Sequence, residues 1–135
     1  MTLAQKLTRL SVALINSPTQ LAHYQDRVYP FSAPREVHAQ KHIVYYPVSH
    51  TFEMLDGRDM MTRTEWRLVF REPLASLTVD DIAPVIDRVE TILREIIPSI
   101  LPAEMKLGEI DVTRLSDATQ ILSVEALISD DTGHA

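Results

Sequence analysis

The sequence predicts an α+β domain, with helices packed on one face of a mostly antiparallel sheet that contains a long β-hairpin. Apolar residues recur at helical spacing in two stretches and alternate with polar residues in several others. The order of these stretches is helix, strands, helix, strands, which is typical of an α+β arrangement. With 135 residues, 45% of them hydrophobic, the chain has the size of one domain, residues 1–135.

The first predicted helix opens the chain. Thr2 and Gln5 have the spacing of a capping box. A helical stripe then continues through Leu3, Leu7, Leu10 and Leu14 until Asn16-Ser17-Pro18 ends it. After this helix, Arg27-Val28-Tyr29-Pro30 is predicted to be a short extended segment. Pro30 and Pro34 then keep an arm out of helical conformation as far as about Gln40.

Two long strands with period-two alternation follow the arm and predict the hairpin. The first places Val44, Tyr46, Val48, His50, Phe52 and Met54 on one side. The second places Thr64, Trp66, Leu68 and Phe70 on one face and Arg63, Glu65, Arg67 and Arg71 on the other. These strands exceed the usual length, so we expect the far end of the hairpin to project beyond its own core.

The Asp56-Gly57 pair suggests a two-residue type I′ turn between these strands. That turn would pair Tyr46 with Arg67 and set the apolar side of one strand against the charged side of the other. We therefore predict a longer or bulged loop over residues 55–61. In the predicted register His50 faces Trp66, Val48 faces Leu68, Met54 faces Thr62 and Glu53 faces Arg63.

The second half of the chain predicts a helix and two more strands. A strongly apolar helical stripe runs over residues 82–96, with Asp80 or Asp81 as its N-cap and Pro98 as its end. Residues 105–112 are a predicted strand. Leu122, Val124, Ala126 and Ile128 alternate in the last strand.

Composition argues against several classes of function. The formal charge of −6 lacks the basic excess of a nucleic-acid binder, and the absence of cysteine excludes thiolate chemistry. Three glycines cannot build a phosphate-binding loop, and no serine-nucleophile motif is present. We predict no catalytic residue and no cofactor. The chain has no 18-residue apolar run and no signal-peptide pattern, so we expect a soluble product made in the cytoplasm, with no membrane partner.

The histidines do not predict a metal site. His38 and His42 have the four-residue spacing that would bring two imidazoles together on a helix. Their surroundings favour an extended chain, which would separate them by about 13 Å. His42 and His50 share a strand face but would lie about 26 Å apart along it.

A cationic stripe of Arg63, Arg67 and Arg71 follows the outer side of the second hairpin strand. One interpretation is protection of the sheet surface together with cross-strand pairs to Glu53 and Glu65. The other is an interface with an acidic neighbour or with a phosphate backbone.

Several short motifs, in their order and spacing, resemble the tail terminator or tail completion proteins of long-tailed phages and of phage-derived particles. They are Arg27-Val28-Tyr29-Pro30, Ala33-Pro34, Ile43-Val44-Tyr45 with Val48-Ser49, Leu55-Asp56-Gly57, Arg63 opening the next strand, and a long helix. The resemblance covers residues 2–97, with a looser match in the last strands. One departure is Glu65, where the family pattern has a small polar residue such as Gln.

The resemblance implies a structural virion protein that forms a ring, expected to be a hexamer. Such a ring caps the tail tube at its head-proximal end and offers a surface to the head–tail connector. The implied partners are other copies of the chain, the tail tube protein and the connector or stopper protein. DNA would pass through the lumen without specific binding, and no catalytic, cofactor or metal-binding residue is implied. The implied location is the virion tail, after assembly in the host cytoplasm.

We predict that the interfaces of this ring use the hairpin tip, the arm and the arginine stripe. The candidate residues are Arg35, Glu36, His38, Asp56, Gly57, Arg58, Asp59, Met60, Met61, Arg63 and Arg67. An alternative from another class is a small homodimeric binding or regulatory domain, with the hairpin as a dimer arm and a ligand near Trp66 and His50. A small enzyme that uses His50 or His38 is the third and least favoured interpretation.

Overall fold

The computed structural model describes residues 2–15, 21, 23–24, 27–55, 59–116 and 119–130, with the backbone alone at 52–55, 59–61 and 112–116. The helices are α1 (Leu3–Ile15), α2 (Val79–Thr91) and α3 (Ile97–Ile100). The strands are β1 (Val28–Pro30), β2 (His42–Leu55), β3 (Asp59–Pro73), β4 (Met105–Ser116) and β5 (Ile121–Asp130). A 3₁₀ turn covers Arg35–Val37 and a π turn covers Ile92–Ile96.

The strands form one five-stranded sheet in the order β1-β2-β3-β5-β4. The β1–β2 pair is parallel and the other three pairs are antiparallel. The predicted α+β class, with a mostly antiparallel sheet and a long hairpin, is confirmed. In the described part of the chain no helix is long and apolar enough to cross a membrane.

One apolar core lies between the helices and one face of the sheet, which we call the helix face. Strands β2, β3 and β5 contribute side chains from alternate positions, among them Tyr45, Leu68 and Val124. Helices α1 and α2 and the π turn contribute Leu10, Val89 and Leu93. The predicted alternation of β5 is confirmed, since its residues are alternately buried and partly exposed from Ile121 to Asp130. The opposite side of the sheet is called the outer face.

The predicted capping box forms at the start of α1. The Thr2 backbone N–H donates to Gln5 Oε1 at 2.9 Å, and the Gln5 N–H donates to Thr2 Oγ1 at 3.2 Å. Two backbone donors that have no partner inside the helix are thereby satisfied. This reciprocal pair explains why the helix begins directly after Thr2.

The predicted N-cap of the second helix is wrong. Thr78, with extended dihedral angles, is the N-cap residue of α2, and Asp80 and Asp81 lie inside the first turn. Negative charge is favourable there because it faces the positive end of the helix dipole. The two aspartates therefore indicate where the helix begins, although neither of them is its N-cap residue.

The prediction that Pro98 ends this helix is also wrong. The chain passes from α2 through the π turn into α3, which contains Pro98 and reaches Ile100. The Ile97 N–H donates to the Ile92 carbonyl, one residue further back than in an α-helix. A proline lacks the N–H for this ladder, and the wide turn directly before it lets the helix continue.

The predicted hairpin register is wrong, and a β-bulge is the reason. Near the base of the hairpin Tyr45 pairs with Leu68 and Tyr46 with Arg67, which is the register of a two-residue turn and not the predicted one. The ladder shifts between Pro47 and Ser49, so Val48 is the extra residue. Beyond it His50 pairs with Thr64 and Glu53 with Met61, and the strands end at Leu55 and Asp59.

The bulge also divides the predicted apolar side of β2 between two faces. Ile43 and Tyr45 point to the helix face because their partners are Phe70 and Leu68. Val44 therefore lies on the outer face, where it and its partner Val69 are nevertheless buried. Past the bulge the alternation changes phase, and His50 lies on the helix side opposite the buried Thr64.

Candidate subunit interface

The end of the hairpin extends past the rest of the sheet as a two-stranded ribbon. The pairing of β5 with β3 ends at Thr64, opposite Asp130. Among the described strands, residues 59–63 of β3 have β2 as their only neighbour. We call residues 51–55 and 59–63 the projecting ribbon. Five residues at about 3.4 Å each make it roughly 17 Å long, and Thr62, near its root, is buried beside helix α1.

The predicted tip residues lie at the end of this ribbon or outside the described residues. Asp56, Gly57 and Arg58 are outside them. Asp59, Met60 and Met61 are placed in β3 by their backbone, opposite Leu55, Met54 and Glu53. Arg63 is exposed on the outer face and pairs with Thr51, not with the predicted Glu53.

The edge of β2 that faces away from β3 has few strand partners in the described part of the chain. Strand β1 pairs with Ile43, Val44 and Tyr45, and the Phe31 N–H adds one bond to the Tyr45 carbonyl at 2.8 Å. From Tyr46 to Leu55 no described strand lies beside that edge. Unpaired backbone groups along a strand edge are a template for another strand.

The arm, which was predicted to be non-helical as far as about Gln40, contains a 3₁₀ turn. Arg35 and Glu36 lie in this turn and are exposed. His38 follows it, is exposed, and its Nε2 lies 3.1 Å from the Ala33 carbonyl oxygen. The turn folds the arm back on itself, so residues that an extended chain would separate come together.

The expected separation of His38 and His42 is therefore wrong. Their rings stack, with centroids 5.9 Å apart and an angle of 11° between the planes. His42 is 1% exposed, and its Nδ1 donates to the Gln40 carbonyl at 2.8 Å. Burial lowers the pKa of His42, and the charges of Arg71, His38 and Arg27 act in the same direction. The described residues contain no group of three metal-ligating side chains, so the stacked pair is not part of such a cluster.

The arginine stripe lies on the outer face, and Arg67 has a different partner from the predicted one. Its Nη1 donates to Glu125 Oε2 at 2.8 Å, across the β3–β5 boundary. Glu65 lies on the same strand as Arg67, and Glu53 is far along the ribbon. The pair is not evident from the sequence, because only the strand order of the folded sheet places β5 beside β3.

A wholly buried ionic cluster holds α1 against the sheet; we call it the Lys6 cluster. Lys6 Nζ donates to the Thr62 carbonyl at 3.3 Å, to Thr64 Oγ1 at 3.1 Å and to the Asp130 carbonyl at 3.4 Å. It lies 3.8 Å from Asp130 Oδ1, and both side chains are 0% exposed. Backbone and hydroxyl oxygens thus replace most of the water that the ammonium group loses on burial.

His50 joins the Lys6 cluster through Thr64, with its Nδ1 at 2.7 Å from Thr64 Oγ1. Because Lys6 donates to this hydroxyl oxygen, the hydroxyl proton can go to His50 Nδ1, which favours the neutral ring with its proton on Nε2. Burial lowers the pKa of His50, the Lys6 charge acts in the same direction, and Asp130 raises it. Neighbouring Trp66, near which the alternative hypothesis placed a ligand, is fully buried.

A second ionic cluster lies near the other end of β3; we call it the Glu72 cluster. Glu72, whose side chain is 2% exposed, accepts from Arg88 and from the Tyr24 hydroxyl, the latter at 2.7 Å. Burial and the Glu72 charge raise the pKa of Tyr24 far above its usual range. Glu72 therefore joins Tyr24 and helix α2 to the sheet.

One signal in the sequence could have revealed the Lys6 cluster. Lys6, Leu10 and Leu14 are spaced by four residues, so they share one helical stripe, and all three are buried. A lysine on the most buried stripe of a helix needs an oxygen-rich partner. Nothing local identifies Asp130, which is 124 residues away.

No protein-family model matches this chain, and no curated protein matches it at a significant level.

Proposed function

We propose that this protein is a structural ring subunit that caps the tail tube of a phage or phage-derived particle. In this role several copies form a ring, expected to contain six, that ends tail elongation and provides the surface for the head–tail connector. The order of short motifs from Arg27 to the long helix supports the proposal through family resemblance. No catalytic residue takes part in it.

The projecting ribbon is the observation that carries the proposal. A two-stranded ribbon with a length of roughly 17 Å and an uncovered β2 edge is marginally stable alone in water. Contact with another molecule would satisfy its backbone groups and cover its side chains. Repeated around a ring, such ribbons would link each copy to its neighbour or to the tube below.

The test is a symmetric shortening of the ribbon. Removing residues 53–55 and 59–61 together takes three residues from each strand and leaves Phe52 and Thr62, which already pair, joined by residues 56–58. We expect this variant to keep its circular dichroism spectrum and to lose ring formation, both alone and on purified tail tubes. Negative-stain images and solution mass would measure the loss.

A charge substitution far from the ribbon provides the control. Glu95→Gln changes an exposed position on the helical side and should leave the rings intact. Rings of normal size and number from the shortened variant would contradict the proposed role of the ribbon. Failure of the wild-type chain to form rings in the presence of tail tubes would contradict the proposed function itself.

The same uncovered edge supports the alternative of a homodimeric binding domain. Two β2 edges related by a two-fold axis could pair antiparallel and join two sheets into one. A stable mass of two copies, unchanged by tail tubes, would favour that alternative over a ring.

A further inference from the structure

The Lys6 cluster lies where the projecting ribbon leaves the sheet. Thr64, which takes part in two contacts of the cluster, is the residue of β3 at which pairing with β5 ends. Beyond it, residues 51–55 and 59–63 pair only with each other among the described strands. Contacts made at Thr64 therefore act on the root of the ribbon.

Four elements meet at this root through one ammonium group and one hydroxyl group. Lys6 of α1 donates to the Thr62 carbonyl and to Thr64 Oγ1 on β3. It also donates to the Asp130 carbonyl on β5. His50 adds strand β2, because its Nδ1 lies 2.7 Å from Thr64 Oγ1. The first helix is thereby attached to both strands of the hairpin and to the last strand of the sheet.

The single hydroxyl proton of Thr64 makes this arrangement depend on the charge of His50. The Thr64 oxygen accepts from Lys6 at 3.1 Å, so its own proton is available to a neutral His50 ring. A protonated ring carries a proton on both nitrogens and cannot accept. Its Nδ1–H would have to donate to the same oxygen as the ammonium group, and two cations would then share one buried atom.

The charges around His50 add to this conflict. Burial lowers the pKa of His50, and the charges of Lys6 on α1 and of the N-terminal amino group act in the same direction. Asp130 on β5 acts in the opposite direction. On β3, Arg63 and Glu65 alternate with the residue that His50 contacts, so their side chains lie on the outer face, away from the ring. The ring is partly exposed, so a proton can reach it.

The strand beside His50 has an irregularity at which the ribbon can turn. The ladder shifts between Pro47 and Ser49, and the extra residue Val48 is 42% exposed. A bulge leaves one residue unpaired and interrupts the ladder locally. The ribbon can therefore change direction there while the pairs nearer the base of the hairpin stay intact.

We propose that the Lys6 cluster is a proton-sensitive latch, which holds the projecting ribbon against α1 while His50 is neutral and releases it when His50 is protonated. In the latched state the ribbon has one direction relative to the sheet. In the released state its root opens as far as the bulge. The latch belongs to a single chain and goes beyond the proposed capping role, because it acts whether or not other copies or a tail tube are present. A fixed ribbon also binds a partner more tightly, since less ordering is left to the binding step.

Amide hydrogen exchange followed by NMR at pH 7.5 and pH 5.5 tests the latch. The latched state has the lowered pKa, so it is favoured above about pH 6.5 and becomes less favoured as the pH falls below that value. With the ordinary pKa restored on opening, the open root should gain about tenfold in population between the two pH values. We expect protection factors of residues 51–55 and 59–63 to fall by about that factor. Low concentrations of urea should leave them unchanged, because a local opening exposes little surface.

Two variants and a matched control assign the effect. His50→Gln keeps an acceptor for the Thr64 hydroxyl and cannot be protonated, so its ribbon protection should change by less than about twofold. Lys6→Met combined with Asp130→Ala removes the second cation and should reduce the fall to about threefold. His23→Gln, at an exposed histidine that precedes β1, should keep the full tenfold fall. If the double variant fails to fold, His50→Gln decides alone.

The latch is supported when the fall appears in the wild type and in His23→Gln and is absent from His50→Gln. An equal fall in His50→Gln would assign it to other groups, and an equal fall in the double variant would exclude Lys6 as its cause. Constant ribbon protection in the wild type would show that protonation does not open the root. Ribbon exchange that responds to urea as strongly as exchange in the core would indicate global unfolding. Each of these four results overturns the inference, and none bears on the proposed capping function, because all are measured on the isolated chain.

Discussion

The Lys6 cluster and the Glu72 cluster lie at opposite ends of the sheet and differ in how much water reaches them. Lys6 and Asp130 are both 0% exposed. In the other cluster Arg88 is 30% exposed while Glu72 is 2% exposed. A charge without water depends on its protein partners for all of its solvation, whereas a half-exposed charge keeps part of its hydration when a partner is lost. The comparison predicts that the two clusters respond differently to mutation and to pH.

The largest expected effect is that of Asp130→Ala. This change leaves the buried Lys6 ammonium without its carboxylate, and such losses cost about 3–5 kcal/mol of unfolding free energy. Urea unfolding followed by circular dichroism would measure it. The double variant with Lys6→Met, which removes both charges, should recover most of the loss. A single variant as stable as the wild type would show that carbonyl and hydroxyl oxygens alone satisfy Lys6.

Glu72→Gln should have a smaller effect. Glutamine keeps an acceptor for the Tyr24 hydroxyl, and the partly exposed Arg88 regains water, so we expect a loss of about 1–2 kcal/mol in the same assay. Arg94→Gln is the matched control, because it neutralises an exposed pair with Glu90 and should change stability by less than about 0.5 kcal/mol. A loss as large as that of Asp130→Ala would remove the distinction between the clusters.

At alkaline pH we expect the protein to lose stability because of Tyr24 in the Glu72 cluster. The pKa of Tyr24 is raised in the folded state, so above pH 10 the unfolded chain releases a proton that the folded chain retains. The unfolding free energy therefore falls as the pH rises through about 10. Urea midpoints at pH 8.5 and pH 10.5 would measure the slope, and Tyr24→Phe should make it shallower. Tyr45, whose pKa is also raised by burial, contributes to the remaining slope.

The smallest expected effect is at acidic pH, at the Lys6 end. The pKa of His50 is lowered in the folded state, so the unfolded chain binds more protons as the pH falls below about 6.5. Stability present above that pH is lost as the histidine is protonated. His50→Gln, which can still accept from Thr64, should lose less stability between pH 7.5 and pH 5.5 than the wild type does. Equal losses would assign the acid sensitivity to other groups, such as His42.

Local signals in the sequence were sufficient for the elements but not for their alignment. The Thr2–Gln5 spacing located the start of α1, and the alternation of β5 located the last strand, because both patterns depend on neighbours in sequence. The hairpin register depended on a bulge. Residues 43–46 are apolar or aromatic on both faces, so alternation alone could not show where the phase changes.

The interface candidates show the same contrast between features that local sequence predicts and features that depend on the alignment of the strands. The outer-face position of Arg67 followed from alternation, but its partner Glu125 required the strand order of the whole sheet. The His38–His42 stack depends on the 3₁₀ turn in the arm. No glycine or turn dipeptide between Pro34 and His42 predicts that turn. The pairing of Arg71 with His42 likewise required the register of the two strands.

Val48, the extra residue at the bulge, sets the direction in which the projecting ribbon leaves the sheet. Because it is the one extra residue between Pro47 and Ser49, deleting it would leave every cross-strand partner unchanged and restore a regular ladder. What would change is the bend and twist at the root, and any change of angle there is magnified along the roughly 23 Å to Leu55. Deletion of this one residue would therefore change the direction of the ribbon and leave its side chains and their cross-strand partners unchanged.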